Sequence, residues 1–322
     1  MRVLLTGAAG FIGHKVAEML AERGDEVLGV DNLNDAYDVK LKEWRLAKLR
    51  ELSRFRFLRA DIVDFKMMKE IFETEKFDAV INLAARAGVR ASVKNPWVYV
   101  ETNTVGTLNL LELSKDHGVK KFVLASTSSI YGLNSPPFSE SMVTDTPLSV
   151  YAASKKGAEA LTFSYHHLYD IDVTVFRYFT VYGPAGRPDM SIFKFIKLIA
   201  EGEPIPVFGD GNQERDFTYV DDIARGTIAG LRPLGYEVVN LGNNRPVKLN
   251  YVIGLIEEYL GKKAGIEYFP PHPADVPRTM ADIGKAHALL GWTPEVPIEE
   301  GVRKAVEWYL DNREWARNVN VS

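Results

Sequence analysis

The sequence predicts an α/β fold built on a doubly wound parallel sheet, and three observations lead there. Short apolar runs alternate with helical patterns through the first half of the chain. The first run ends in Thr6-Gly7-Ala8-Ala9-Gly10-Phe11-Ile12-Gly13, a glycine-rich turn placed between a strand and a helix. The second run ends on an acidic residue, Asp31.

The elements follow in order. Residues 3–6 read as a buried strand, 11–23 as a helix stopped by Gly24, and 27–30 as a second strand. Apolar runs at 55–58, 79–83, 122–125 and 173–178 suit central parallel strands, with helices at 66–75, 99–117 and 151–169 between them. Right-handed crossovers wind such a series into a Rossmann-type sheet with helices on both faces. After residue 180 the pattern changes, with Pro184, Gly186, Pro188, Pro204, Pro206, Gly209 and Gly211 punctuating loops around a helix at 191–201. A strand at 238–241 is expected to return to the sheet, and helices at 251–260 and 298–310 belong to a smaller, mostly helical C-terminal substrate domain. The division predicted is 1–180 for the nucleotide-binding domain, with a segment near 218–242 returning to it, and 181–217 with 243–322 for the second domain. There is no internal repeat and no low-complexity segment.

Composition narrows the function classes. A chain of 322 residues, 46% hydrophobic and 25% charged, can bury a large core as an ordinary globular protein. A net charge of −4 without a dense basic stretch argues against nucleic acid as a partner. With no cysteine and no histidine pair at i, i+4 beside a carboxylate, neither disulfides nor a metal site is expected. Gly7, Gly10 and Gly13 break the apolar start, so it reads as structure rather than a signal peptide, and no apolar run reaches membrane-spanning length. A cytoplasmic protein is the expectation.

The glycine turn is a dinucleotide cradle. Gly7, Gly10 and Gly13 allow the tight turn and let backbone amides, including those of Phe11 and Ile12, approach a pyrophosphate at the positive end of a helix. Asp31, closing the second strand, can bind the adenosine ribose hydroxyls, and Asn32 rather than arginine beside it favours NAD over NADP. Asp61-Ile62, after the third strand, either meets the adenine or, through Asp61, caps a helix.

The fifth strand runs out into Ala125-Ser126-Thr127-Ser128-Ser129-Ile130-Tyr131-Gly132, at the edge where open α/β sheets hold ligands. Tyr151 and Lys155 follow, four residues apart and so on one helix face. A phenol titrates near pH ~10, and an adjacent ammonium favours the phenolate and brings that value towards neutrality. A hydroxyl from the turn can then bond a substrate alcohol while Tyr151 takes its proton.

These motifs resemble the extended short-chain dehydrogenase/reductase family, in particular its nucleotide-sugar epimerases and dehydratases. The resemblance spans nearly the whole chain. Beyond the glycine turn it takes in Asn82-Leu83-Ala84-Ala85, Asn103 with Gly106, Thr127, Tyr151 with Lys155, Arg177-Tyr178-Phe179, Arg215-Asp216-Phe217 and Asp221-Asp222. It implies that Thr127 assists at the substrate hydroxyl, Tyr151 is the acid/base, and Lys155 lowers its pKa and holds the nicotinamide ribose. It further implies NAD contacts from Lys42, Leu83, Ala84, Ala85, Asn103, Tyr178 and Val181. Substrate contacts are implied for Arg86 (where the family usually has glutamine), Gly88, Val89, Arg90, Ser128, Ser129, Thr180 and Arg187. Val207, Phe208, Gln213 and Arg215 fall in the segment that meets the nucleotide diphosphate, and Arg278 or a residue near His272-Pro273 adds a phosphate contact.

Within the family three reactions compete. Dehydratases resemble Thr-Asp-Glu where this chain has Thr127-Ser128-Ser129, and decarboxylases of UDP-glucuronate resemble Ser-Thr-Ser-Glu where it has Ser126-Thr127-Ser128-Ser129. Missing those acids, the chain points to a 4-epimerase. UDP-glucose epimerases resemble Arg-Tyr-Phe-Asn, whereas Arg177-Tyr178-Phe179-Thr180, Arg187-Pro188-Asp189-Met190, Asp31-Asn32-Leu33-Asn34-Asp35 and Ala87-Gly88-Val89-Arg90 are similar to UDP-glucuronate 4-epimerases. The expected substrates are UDP-glucuronate and UDP-galacturonate. A UDP-glucose or UDP-N-acetylglucosamine 4-epimerase is the alternative, a decarboxylase a more distant one, and a non-catalytic NAD-binding regulator is disfavoured by the intact Thr127, Tyr151 and Lys155. The resemblance also implies a homodimer through two helices per subunit, with Leu161, Phe163 and Leu168 offered to the partner.

Overall fold

The computed structural model describes residues 1–271 and 276–321. Its strands, in chain order, are β1 (Arg2–Thr6), β2 (Glu26–Asp31), β3 (Phe55–Arg59), β4 (Ala79–Asn82), β5 (Lys121–Thr127), β6 (Asp172–Tyr178), β7 (Thr180–Tyr182), β8 (Ile205–Phe208), β9 (Glu214–Arg215), β10 (Phe217–Tyr219), β11 (Tyr236–Leu241), β12 (Val247–Lys248) and β13 (Ile266–Phe269). Seven make one sheet in the order β11-β6-β5-β4-β1-β2-β3, every neighbour parallel. All seven residues of β5 are buried, because helices cover both faces.

The α-helices are α1 (Phe11–Arg23), α2 (Val39–Leu49), α3 (Phe65–Thr74), α4 (Val89–Lys94), α5 (Trp97–Val100), α6 (Gly106–Asp116), α7 (Val150–Tyr169), α8 (Ser191–Glu201), α9 (Val220–Ala229), α10 (Leu249–Leu260), α11 (Gly284–Leu290), α12 (Ile298–Asp311) and α13 (Arg313–Ala316). Val16, Leu20, Ile223, Ala224, Ala286 and Leu290 place α1, α9 and α11 against one sheet face. Met68, Phe72, Leu110, Leu113, Ala158 and Tyr165 place α3, α6 and α7 against the other. A separate core gathers α8, α10 and α12 over β8, through Phe193, Ile196, Ile199, Val252, Ile256, Val302 and Val306. Successive strands run outward from β1 on one side and from β4 on the other, so the carboxyl ends of β1 and β4 flank the crevice where a ligand sits. Among the described residues no helix is long and apolar enough to cross a membrane.

The expected elements are present, and β11 joins the sheet edge. Three differences bear on function. The helix expected at 99–117 is broken by a π-helical turn, Glu101–Val105, between α5 and α6. That turn brings Asn103, 1% exposed, into the interior. The C-terminal region is less helical than expected, since β7–β10, β9–β12 and β8–β13 each form a two-stranded sheet. Helix α2, which the sequence pattern did not mark, serves two cores at once: Leu41 enters the C-terminal one, Leu46 and Leu49 the nucleotide-domain one. A helix buried on two sides lacks the single apolar stripe that periodicity detects.

Candidate active site

The glycine turn meets β2 and β4 at the crevice. Gly7, at φ 71, donates its amide to the Val30 carbonyl at 2.7 Å, and Gly10 donates to the Gly7 carbonyl at 2.9 Å. A Cβ at Gly7 would lie 2.7 Å from the Ala84 nitrogen, and one at Gly13 2.1 Å from the Gly7 carbonyl oxygen. No side chain caps α1 at Gly10, and its first turn carries no acidic residue. The donors at this helix end are therefore backbone amides aimed at the crevice, the chemistry a pyrophosphate requires. The site fits NAD.

Asp31 ends β2 beside this turn, its carboxylate accepting from the Ala9 amide at 3.2 Å and the Leu33 amide at 2.8 Å. Lys42 of α2 lies 3.8 Å from it and bonds Asn34 at 3.2 Å. Burial lowers the Lys42 pKa, against which the Asp31 charge pulls. Asp61 accepts from the Asn32 side chain at 2.7 Å and the Val63 amide at 3.0 Å. The helix cap expected as its alternative is made instead by Asp64, which accepts from the Met67 amide. Ile62 is buried against Gly106, where a Cβ would lie 2.6 Å from the isoleucine side chain.

On the β4 side, the Thr6 hydroxyl donates to Asn82 at 2.7 Å and accepts from the Ala84 amide, which fixes the course of Leu83-Ala84-Ala85. Asn103 is spent on positioning. Its amide group accepts from the Arg86 amide at 2.8 Å, donates to the Arg86 carbonyl at 2.9 Å and donates to Ser154 Oγ at 2.9 Å. It thereby ties the loop after β4 to the helix carrying Tyr151 and Lys155.

Tyr151 and Lys155 sit in the first two turns of α7, started by the Ser149 side chain accepting from the Ala152 amide. Burial raises the Tyr151 pKa, opposed by the neighbouring Thr127 hydroxyl and by the Arg187 charge. Lys155 donates to the Ala125 carbonyl at 2.9 Å, and burial pushes its pKa down to about 8, with Glu159 pulling the other way. Tyr99 meets Tyr151 edge-on, ring centres 6.2 Å apart. Glu159, a buried carboxylate that sequence reasoning missed, accepts from Ser126 at 2.5 Å and from Arg177 at 3.1 and 2.9 Å. Its signal was its place one turn beyond Lys155.

Thr127 caps the short 3-10 turn Ser128–Tyr131, accepting from the Ser129 amide at 3.1 Å and donating to Ser129 Oγ at 3.2 Å. Thr127 pairs with Tyr178 across β5 and β6, so Thr180, two residues on, lies beyond the same sheet edge. Within the described residues the side-chain hydroxyls of Ser128 and Thr180 have no hydrogen-bond partner. Arg187 holds Asp189 through bonds of 3.0 and 2.6 Å and reaches the Ala87 carbonyl beside Gly88 and Val89. Arg90 covers the Phe208 ring at 4.0 Å, and Gln213 donates to the Phe208 carbonyl at 2.9 Å. Arg278 pairs with Glu214 at 3.0 Å next to Arg215. His272-Pro273 lie outside the described residues.

Two expected contact residues turn their side chains inward. The Val207 side chain is fully buried in the C-terminal core, because β8 alternates Ile205 and Val207 inward, so a contact there would fall to its backbone. Tyr178 is turned into the sheet interior, where its hydroxyl bonds Thr227 at 2.8 Å; only its backbone borders the crevice. Val181, half-buried in β7, stays at that border. Among the described residues no three histidine, aspartate or glutamate side chains converge as a metal ion requires.

Fold and site together define an NAD-dependent enzyme of the extended short-chain dehydrogenase/reductase type. The chain belongs to the NAD dependent epimerase/dehydratase family, whose model matches residues 3–242. It is 61% identical over 319 residues, 99% of each chain, to the UDP-glucuronate 4-epimerase of Thermodesulfobacterium geofontis. It superimposes with a TM-score of 0.91, at 37% identity over 97% of this chain and 100% of the other, on the UDP-glucuronic acid 4-epimerase of Bacillus cereus in complex with UDP-glucuronic acid and NAD. The UDP-glucose 4-epimerase of Thermotoga maritima with UDP-glucose matches at a TM-score of 0.89 and 35% identity, over 97% of this chain and 100% of that one.

Proposed function

We propose that this protein is a UDP-glucuronate 4-epimerase, interconverting UDP-glucuronate and UDP-galacturonate through a 4-keto sugar at a permanently held NAD. The observation that carries this reading is the site's rim. Beside Thr127 stand the neutral hydroxyls of Ser128 and Ser129, where dehydratases and decarboxylases of the family place acids, and Thr180 stands where UDP-glucose epimerases place asparagine. The 61% identity to a UDP-glucuronate 4-epimerase supports the same substrate.

Tyr151 takes the proton of the sugar's 4-hydroxyl and later returns one to the 4-keto oxygen. Thr127 bonds both that oxygen and the phenol, orienting the transfer. Lys155 holds the ribose of the cofactor and keeps positive charge under Tyr151. Bound NAD accepts the C4 hydride and returns it to the opposite face after the keto sugar has turned. Ser128, Ser129 and Thr180 hold the C5 carboxylate. Phe208, Gln213, Arg215 and Arg278 take the nucleotide diphosphate, so the region at 181–217 with 243–322 serves the sugar nucleotide and 1–180 serves NAD.

Purified protein, with no NAD added, is expected to interconvert the two UDP-uronic acids. UDP-xylose or UDP-4-keto-pentose as the main product would replace this reading by a decarboxylase, and equal or greater activity on UDP-glucose would replace it by a hexose epimerase.

The same protein is proposed to act as a homodimer through α5–α6 and α7. Phe163 is 54% and Leu168 64% exposed on α7, and Trp97, before α6, is 76% exposed. Leu161, expected among these, is half-buried against its own sheet and offers less apolar surface to a partner than Phe163 and Leu168. Light scattering at micromolar concentration should give twice 36.1 kDa; a monomeric mass refutes the dimer.

A further inference from the structure

Arg45, in α2, is completely buried between the Phe11 and Tyr37 rings, yet every hydrogen-bond acceptor of its guanidinium is a neutral oxygen. Nε and Nη2 donate to the Ala185 carbonyl at 3.1 and 2.7 Å, and Nη2 also to the Gly186 carbonyl at 3.1 Å. Nη1 donates to the Ala9 carbonyl at 3.1 Å and to the Tyr37 hydroxyl at 2.8 Å. Burying a charge is costly unless its donors are satisfied, and a planar fork can satisfy donors on several loops at once. Here it does so on three.

Each loop it grips leads to the site. Ala9 belongs to the glycine turn, and its amide is already held by Asp31 at 3.2 Å, so its flanking peptides are fixed from both sides. Ala185 sits at φ 51, the left-handed region that a residue with a Cβ avoids, and two guanidinium bonds end on its carbonyl. Two residues on, Arg187 reaches the Ala87 carbonyl, and its charge is felt at the Tyr151 phenol. Tyr37 lies between them, with Lys42 Nζ at 5.1 Å and the Arg187 guanidinium at 5.8 Å from its ring centre.

We propose that Arg45 is a positioning residue that clamps the cofactor's glycine turn to the Ala185–Arg187 loop, retaining NAD between turnovers and setting Arg187 against the sugar. An epimerase must exchange its sugar each cycle while the cofactor stays, and a rigid wall between the two serves that need. The sugar half rests on the epimerase reading; the cofactor half stands without it.

Arg45→Met separates the two. After exhaustive gel filtration with no sugar present, the variant should have lost most of its NAD, with release at least tenfold faster than wild type. With NAD restored at saturation, its KM for UDP-glucuronate should rise about tenfold. Adding Ala185→Gly, which tolerates φ 51 unaided, should return KM towards wild type while NAD loss persists; a role in folding alone would move both together. If circular dichroism shows Arg45→Met unfolded, Arg45→Lys, which keeps the charge but not the fork, decides the matter with the same expected directions. Full retention of NAD by a folded variant overturns the cofactor half, and KM unchanged in Arg45→Met or unmoved by Ala185→Gly overturns the loop half. Absence of turnover in wild type would instead count against the epimerase reading and leave the retention result standing.

Discussion

Thr180→Ala is the substitution that asks how the site keeps its intermediate from losing carbon dioxide. Oxidation at C4 leaves a ketone β to the carboxylate. Carbon dioxide departs when the C5–carboxylate bond aligns with the ketone π orbitals and its electron pair passes into the enolate. Holding the carboxylate out of that alignment prevents it. The Thr180 hydroxyl makes no bond to the described protein, while its backbone amide donates to the Asp216 carbonyl at 3.1 Å and keeps β7 paired with β10. Alanine therefore removes the donor and leaves the strand in place. A hydroxyl bond to the charged carboxylate contributes about 1.5–3 kcal/mol, so the ratio of decarboxylation to epimerisation should rise about ten- to 100-fold. Ser128→Ala, with its hydroxyl equally unclaimed, should act alike, and independent effects would multiply in the double variant to about 100-fold or more. Ser129→Ala disturbs Thr127 as well and should also slow both outcomes. The assay counts labelled carbon dioxide from carboxyl-labelled UDP-glucuronate per epimerisation event. An unchanged ratio in both Thr180→Ala and Ser128→Ala would mean that the carboxylate is held elsewhere, with Arg187 the nearest candidate.

Tyr151→Phe should lower epimerisation and carbon dioxide release together by about 10²–10⁴-fold with NAD retained, since neither outcome proceeds without the proton acceptor; a variant that still releases carbon dioxide would contradict the role. Lys155 supplies a pH test. Its folded pKa, about 8, lies below the ordinary lysine value, so the unfolded chain binds the extra proton between those two pH values and stability rises with pH across that window. Relative to Lys155→Met, the wild-type apoprotein should gain about 3 kcal/mol between pH 7.5 and 10.5 in denaturant unfolding, and a flat difference would show an ordinary lysine. Gly13→Ala places a Cβ 2.1 Å from the Gly7 carbonyl oxygen. It should cost about 1–3 kcal/mol and weaken NAD binding, both measurable by unfolding with and without cofactor. Phe163→Asp with Leu168→Asp should yield monomers by light scattering with the fold intact, and a persistent dimer would move the interface elsewhere.

Much of this was legible in the sequence because it is local. A strand, a glycine turn and a helix declare themselves within a dozen residues, and Tyr151 and Lys155 reach the same face by helical spacing alone. Thr127 could be placed because it leaves a strand at the edge where parallel sheets open. What the tertiary structure alone decided is long-range. Arg45 joins carbonyls of Ala9 and of Ala185, the latter 140 residues away, and a carbonyl acceptor looks the same in every sequence. Asn103 acts through a π-helical turn that no propensity marks, and α2 hides its stripe by serving two cores. Val207 and Tyr178 carried family expectations, yet strand alternation and packing against α9 turned their side chains inward. Residue types in the right order establish which chemistry is available. Which side chain reaches the crevice, and which holds another in place, depends on bonds to backbone from distant segments, and those come into being only when the chain has folded.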